Sequence, residues 1–367
     1  MTIPVASPKA SYHAHKQEID AAVATVLNSG WYILGEQVSG FEHAYARWCR
    51  CAHALGVANG TDAVEIALRA CGIKNGDCVL TTANTANATV AAIERIGAKA
   101  VFGDIDPATF TLSTADLTRL LHIHKISAIV AVHLFGHPAD MPTILSCAAA
   151  RKIPVIEDCA QAHGATCMGQ HVGSIGTVGA FSFYPTKNLG ALGDGGAVTT
   201  NDPVICDRIK LIRQYGWRER YTSEIKGLNS RLDEIQAAIL NVKLQSLRTD
   251  NERRQEIAAR YNASFANLPL VTPSVAANCT HVYHQYTIRF SERDKLAGWL
   301  RQHGVGTAVL YPTPIHRQPA YIAEYADICL PETEKAAQEI LALPVYPELT
   351  DAEVDFVIKR VVGYFKQ

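Results

Sequence analysis

Two hydrophobic periods alternate along this chain, and the switches between them mark out most of its elements. From residue 77 onward, short apolar runs of strand length trade places with segments of helical period. Strands are predicted over 78–82, 100–103, 128–134 and 153–156, and helices over 88–96, 114–122 and 141–151. Ahead of these, residues 17–50 read as helical with a break at Asn28-Ser29-Gly30, followed by a strand over 54–58 and a helix over 63–71. Regular alternation of this kind predicts an α/β fold: a large, mostly parallel sheet covered by helices, with ligands at the carboxyl ends of its strands.

Further on, aromatic β-formers predict a strand over 180–184, stopped by Pro185, which has no N–H to donate. A strand over 197–200 and a helix over 203–214 follow. A long helix, capped by Asn229 or Ser230, then runs to about Phe265 as a bridge to a smaller α+β unit. That unit reads as a strand over 281–290, a helix over 293–303, a strand over 305–311, a loop over 311–321 and a closing helix over 350–365. The expected division is a large domain over 1–235 and a small C-terminal domain over 236–367 that includes the bridging helix.

Composition narrows the function classes. The chain has 367 residues, 48% apolar and 19% charged, enough for a sizeable core. A net charge of −1 gives no reason to expect nucleic acid or an acidic membrane as partner. There is neither a basic-then-apolar leader nor an apolar run of membrane length. The ten cysteines are scattered, and Cys49 and Cys51 have no second pair at zinc spacing, so reduced thiols and a cytoplasmic location are expected, with no metal. His122 and His124 lie where a helix runs out and do not change that expectation.

Three stretches carry candidate chemistry. In Ser182-Phe-Tyr-Pro-Thr-Lys187-Asn-Leu-Gly, a lysine sits at the mouth of the sheet before a glycine-rich turn. Desolvation there would lower its pKa and make it nucleophilic toward carbonyls. Asn59-Gly60-Thr61-Asp62 joins a strand to a helix, the arrangement that offers free N–H groups to an anion. It lacks the G-x-G-x-x-G of a dinucleotide fold, which argues against a dehydrogenase. Glu157-Asp158 ends a strand and precedes Gln161, where a carboxylate could serve a metal, a helix cap or a cofactor.

Together these stretches resemble the DegT/DnrJ/EryC1/StrS family of sugar aminotransferases, which use pyridoxal phosphate (PLP). Glu157-Asp-Cys-Ala-Gln-Ala-His-Gly164, the lysine segment, Asn229-Ser-Arg-Leu-Asp-Glu234 and Tyr311-Pro-Thr-Pro-Ile-His316 carry the likeness, which runs from about residue 18 to the C-terminus. The resemblance implies a fold-type I PLP-dependent transferase in which Lys187 forms the Schiff base and moves protons. Asp158 would pair with the pyridine nitrogen, and Gln161 would lie over the ring near its phenolic oxygen. Gly60, Thr61 and Ser182 would hold the phosphate, joined by Asn229 from the second subunit of a homodimer with composite sites. Trp31, Tyr311 and His316 would face the substrate.

The implied reaction moves an amino group from L-glutamate to a dTDP- or UDP-linked sugar with a ketone at C3 or C4, in amino-sugar biosynthesis. A cyclitol aminotransferase, a PLP-dependent sugar dehydratase and a fold-retaining regulator are the alternatives. Deoxygenating relatives carry histidine at the lysine position, so Lys187 weighs against the dehydratase. One departure stands out: where many members carry an aromatic residue stacked on the pyridine, this chain has Ala86. Asn84 and Asn87 are the neighbours able to cover the ring instead.

Overall fold

The computed structural model describes residues 2–366. Three helices lead the chain: α1 (Pro8–Ala14), α2 (Lys16–Ser29) and α3 (Glu36–Cys49). Helix α1 was not anticipated, although Ser7-Pro8 is a proper start: the Ser7 hydroxyl accepts from Ala10 N at 3.2 Å. Next come β1 (His53–Val57) and α4 (Gly60–Ala70), then three strand–helix units. They are β2 (Cys78–Thr82) with α5 (Asn87–Arg95), β3 (Lys99–Gly103) with α6 (Thr114–Ile123), and β4 (Ile126–Val132) with α7 (Met141–Ala149).

Strand β5 (Val155–Asp158) is followed by a small hairpin, β6 (Thr166–Cys167) and β7 (Gln170–His171). Strands β8 (Val178–Ser182) and β9 (Gly196–Thr200) complete the main sheet. Then follow α8 (Pro203–Ile212), the short strands β10 (Trp217–Glu219) and β11 (Thr222–Ser223), and helices α9 (Glu234–Leu244) and α10 (Leu247–Phe265). The C-terminal part holds β12 (Cys279–Thr280), β13 (Tyr286–Arg289), α11 (Arg293–Gln302), α12 (Pro331–Glu339), β14 (Ile340–Leu343) and α13 (Asp351–Tyr364).

The seven-stranded sheet has the order β1-β9-β8-β5-β4-β2-β3. Neighbours from β8 to β3 pair in parallel, and only β9 runs against the rest. The mostly parallel sheet read from the alternation is therefore the one observed. Its strands are apolar on both faces because helices cover both. Leu80, Ile129 and Val155 pack with α6 and α7, while Val79, Val130 and Ile156 pack with α4 and α5.

Five expectations need correction. The strand expected over 180–184 ends at Ser182, although Phe183 N still donates to Gly195 O at 2.8 Å, so the backbone leaves the ladder before Pro185. The long bridging helix is two helices. Gln245 N and Ser246 N reach back only three residues, to Val242 O and Lys243 O, and this tight turn lets Leu244 and Leu247 both be buried. Its cap is Asp233, because Asn229 is bridged to Gln214 and the Ser230 hydroxyl is spent on Asp62 at 2.7 Å. Residues 305–311 form no strand, only single bridges from Val305 to Ile3 and from Ala308 to Ala342. Likewise 281–285 stays outside β13, since Val282 N and Gln285 N donate to Gly136 O and Phe135 O of the loop after β4.

One long-range contact fixes the start of α3. Its N-cap, Gly35, has no side chain to satisfy the first turn, and the buried Glu234 carboxylate does so from α9. It accepts from Gly35 N at 2.7 Å, Gln37 N at 2.9 Å and Val38 N at 3.0 Å. Removing it strands three N–H groups, so Glu234→Ala should cost about 3 kcal/mol or more in denaturant unfolding. A loss under about 1 kcal/mol would show that water takes its place.

Candidate active site

The carboxyl ends of β2, β4, β5 and β8 open on a cavity of about 230 Å³. Its floor is the N-terminus of α4. Asn59 caps that helix, accepting from Asp62 N through its side chain at 2.8 Å and from Ala63 N through its carbonyl at 3.1 Å. Among the described residues, no partner meets the N–H groups of Gly60 and Thr61 or the Thr61 hydroxyl, which leaves three donors at the positive end of a helix dipole. Glycine is required at 60, because a Cβ there would stand 2.6 Å from Ser182 Cβ. Close backbone approach at this spot is what an anion cradle needs.

At the end of β5, buried Asp158 is held by two donors. Thr89 Oγ1 donates to its Oδ2 at 2.7 Å and Ala160 N to its Oδ1 at 3.2 Å, with Thr85 Oγ1 3.0 Å from Thr89 Oγ1. The Gln161 amide is fixed at both ends: its Oε1 accepts from Phe135 N at 2.7 Å and its Nε2 donates to the Tyr311 hydroxyl at 3.1 Å.

Lys187 keeps some exposed surface, but its amine end is enclosed. Burial pulls its pKa down to about 8, against the opposing pull of Asp158. At pH 7 about one such amine in ten is neutral, against fewer than about one in a thousand for an ordinary lysine. Asn188 anchors the backbone beside it, donating from Nδ2 to Asn251 Oδ1 at 2.8 Å and to Val282 O at 2.9 Å, with His284 Nδ1 3.2 Å from its Oδ1. His163 lies buried against Phe181 and Phe183 with neither ring nitrogen hydrogen-bonded, and burial holds its pKa down to about 3.

Of the residues singled out in the sequence, Gly60, Thr61, Asp158, Gln161, Ser182 and Lys187 line this one cavity. Tyr311 joins them through Gln161. Asn229 is exposed and does not line it, and neither does Trp31, which is 65% exposed beside a separate cavity of about 620 Å³. His316 is misplaced by the sequence reading. Residues Ile315–Arg317 form a 3₁₀ turn that buries its ring near Phe102, with Nε2 3.0 Å from Glu334 Oε1. Thr85, Thr89 and Asn188 were missed. The spacing of two threonines at i and i+4, opening a helix after a strand, was the available signal.

Ala86 forms the cavity wall where a ring was expected. Neither asparagine replaces it. The Asn87 amide is paired with Gln318 at 2.8 and 3.1 Å, and buried Asn84 does not line the cavity. An added aromatic contact is worth about 0.5–1.5 kcal/mol. Ala86→Phe should therefore slow cofactor release during incubation with glutamate alone by a few-fold, measured by filtration. Faster release from the variant would mean that the wall has no room for a ring.

Nearby, His133, Glu157 and Cys159 cluster in full burial. The Glu157 carboxylate accepts from His133 Nε2 at 3.1 Å, Ile175 N at 2.9 Å and Gly176 N at 2.6 Å, while His133 Nδ1 accepts from Ala139 N at 2.9 Å. These atoms form a hydrogen-bond network beneath the site.

An enclosed amine of lowered pKa, a fixed carboxylate and a helix N-terminus with unpaired donors suit a cofactor with an aldehyde, a basic ring nitrogen and a phosphate. On this sheet that donor set defines a fold-type I PLP-dependent transferase. Comparison with known proteins agrees. Residues 13–362 match the DegT/DnrJ/EryC1/StrS aminotransferase family. The "Pleiotropic regulatory protein" of Geobacillus stearothermophilus is 42% identical over 100% of this chain and 99% of that one. The dTDP-3-amino-3,4,6-trideoxy-alpha-D-glucose transaminase of Streptomyces venezuelae is 40% identical over 98% of this chain and 95% of its own. The solved structure of S. venezuelae DesV superposes with a TM-score of 0.97 at 40% identity, over 100% of this chain and 99% of that chain. The chain belongs to the DegT/DnrJ/EryC1/StrS aminotransferase family. It is an aminotransferase, and its cofactor is PLP.

Proposed function

We propose that this protein transfers an amino group from L-glutamate to the ketone of a dTDP- or UDP-linked sugar. The observation that carries the reading is the meeting of Lys187, Asp158 and the α4 N-terminus in one cavity. The relatives' transaminase activity on a dTDP-3-amino sugar supports a C3 ketone as the first candidate. When bound, PLP supplies the carbonyl that accepts nitrogen and the ring that takes up electron density.

The chain's own groups do the rest. Lys187 Nζ would hold the cofactor covalently and, when free, would serve as the base and then the acid that moves the proton. Asp158 holds a proton at the pyridine nitrogen, and Thr89 keeps that carboxylate in place. The N–H groups of Gly60 and Thr61, with the Thr61 and Ser182 hydroxyls, hold the phosphate. Gln161, fixed between Phe135 and Tyr311, lies over the ring near its phenolic oxygen, and Tyr311 faces the substrate. A regulator that merely keeps the fold, which the name of one relative brings to mind, has no use for an enclosed amine of lowered pKa.

We also take the working unit to be a homodimer in the cytoplasm, with Asn229 reaching its neighbour's phosphate site. Its exposure in the single chain supports this. Among the described residues no helix is long and apolar enough to cross a membrane. Residues 236–367 are taken as the small domain, supported by a core of Ile257, Tyr261, Tyr286, Leu300 and Val357. Mixing inactive Lys187→Ala and inactive Asn229→Ala chains tests the shared site: one intact site per heterodimer should restore part of the activity. If subunits exchange and nothing returns, Asn229 acts within its own chain. A panel of dTDP- and UDP-linked 3-keto and 4-keto sugars, scored for 2-oxoglutarate release, tests the substrate class.

A further inference from the structure

All ten cysteines are free thiols, and two of them face each other across a strand pair. Strand β12 runs antiparallel to β6, with Cys279 opposite Cys167 and Thr280 opposite Thr166. On one side of the cysteine pair, Met168 N donates to Asn278 O at 2.8 Å. Hydrogen-bonded and non-bonded pairs alternate along an antiparallel ladder, so Cys167 and Cys279 occupy a non-bonded pair. Cα atoms in such a pair lie about 4.5 Å apart. That falls at the short end of the range a disulfide spans, about 4.4–6.8 Å.

Paired residues on adjacent strands project to the same face of the sheet, so the two thiols are neighbours. Burial first, then the neighbouring Cys279 thiol, push Cys167 up to about 12. Cys167 is buried while Cys279 is only partly so, and both border a cavity of about 310 Å³ that also touches Met168 and Asp140. The cavity has room for a small disulfide to reach Cys279.

The position matters because of what β12 leads into. Three residues after Cys279, Val282 N donates to Gly136 O at 3.0 Å and Val282 O accepts from Asn188, the residue that follows Lys187. Gln285 N then donates to Phe135 O at 3.2 Å, and Phe135 N is the donor that fixes Gln161. The segment 281–285 is buried, and its hydrogen bonds reach both sides of the active site.

We propose that Cys167 and Cys279 are a reversible redox pair that clamps β12 to the β6–β7 hairpin. The oxidant is a low-molecular-weight disulfide. The Cys279 thiolate attacks one of its sulfurs, forming a mixed disulfide and expelling one thiolate, which takes up the proton Cys279 lost. Cys167 then attacks the Cys279 sulfur, forms the intramolecular bond and expels the second small thiol, which carries the Cys167 proton. Two protein thiols are oxidised and one small disulfide is reduced to two thiols. Closure anchors the 281–285 segment at its start and so reduces its local opening.

The test incubates the cofactor-loaded protein with 2-hydroxyethyl disulfide and follows peptide masses and amide exchange. The expected result is the loss of two free thiols and a crosslink between the peptides carrying Cys167 and Cys279. Exchange at residues 280–285 should slow by about tenfold or more, and a dithiol should reverse it. Cys167→Ser should stop at the mixed disulfide on Cys279, and Cys279→Ser should show neither crosslink nor slowed exchange. A stable probe adduct on Cys279 of the unaltered chain, or a crosslink that leaves exchange at 280–285 unchanged, would overturn the proposal.

Discussion

Lys187→Ala is expected to lower turnover by more than about 10⁴-fold, equivalent to about 5 kcal/mol of barrier. Both of its tasks rest on one enclosed amine, whose pKa burial pulls down to about 8. The same value sets a pH dependence for the unaltered protein. Covalent attachment of PLP to the apoprotein needs the neutral amine, so its rate should climb nearly tenfold per pH unit below 8 and flatten above it. A rate that keeps climbing toward pH 10 would mean that the amine is solvated. Borohydride should fix cofactor in the unaltered protein and none in Lys187→Ala. An equal yield of fixed cofactor from the variant would assign the chemistry to a different lysine.

The second large effect is expected at Asp158. Asp158→Asn keeps the shape of the side chain, and the Thr89 hydroxyl can accept from an amide as readily as it donates to a carboxylate. Cofactor should therefore remain bound while turnover falls by about a thousandfold, near 4 kcal/mol, because the pyridine nitrogen loses the charge that keeps it protonated. The measurement is kcat on protein whose cofactor content is checked by release and assay. Turnover within a few-fold of the unaltered enzyme would take this role away from Asp158.

Much of this was legible before any coordinates, for physical reasons that differ between residues. Buried parallel strands write themselves as apolar runs, so strands over 78–82 and 153–156 could be read directly, the second observed as Val155–Asp158, while the role of Asp158 at that strand end came from the family resemblance. Helix α4 was read from residue 63 because Gly60-Thr61-Asp62 looks like a turn; in the fold these residues are its first turn, and that turn supplies the free donors. What stayed hidden was set by distant partners. Nothing local says that Glu234 caps α3 across 199 residues, or that Thr89 holds Asp158. His316 lies in a segment whose spacing suits an exposed loop, and only its packing near Phe102 and its bond to Glu334 turn it inward. The interruption at Gln245-Ser246 likewise has no glycine or proline to announce it.

The most direct measurement follows nitrogen itself. The purified, PLP-loaded protein is given L-glutamate with isotope-labelled nitrogen, together with dTDP- and UDP-linked 3-keto and 4-keto sugars, and the products are weighed by mass spectrometry. The account predicts labelled nitrogen in one of the nucleotide-linked sugars, matched by an equal amount of 2-oxoglutarate and absent with Lys187→Ala. With cyclitol ketones and other keto acids offered in the same mixture, label that reaches these and none of the nucleotide-linked sugars would contradict it.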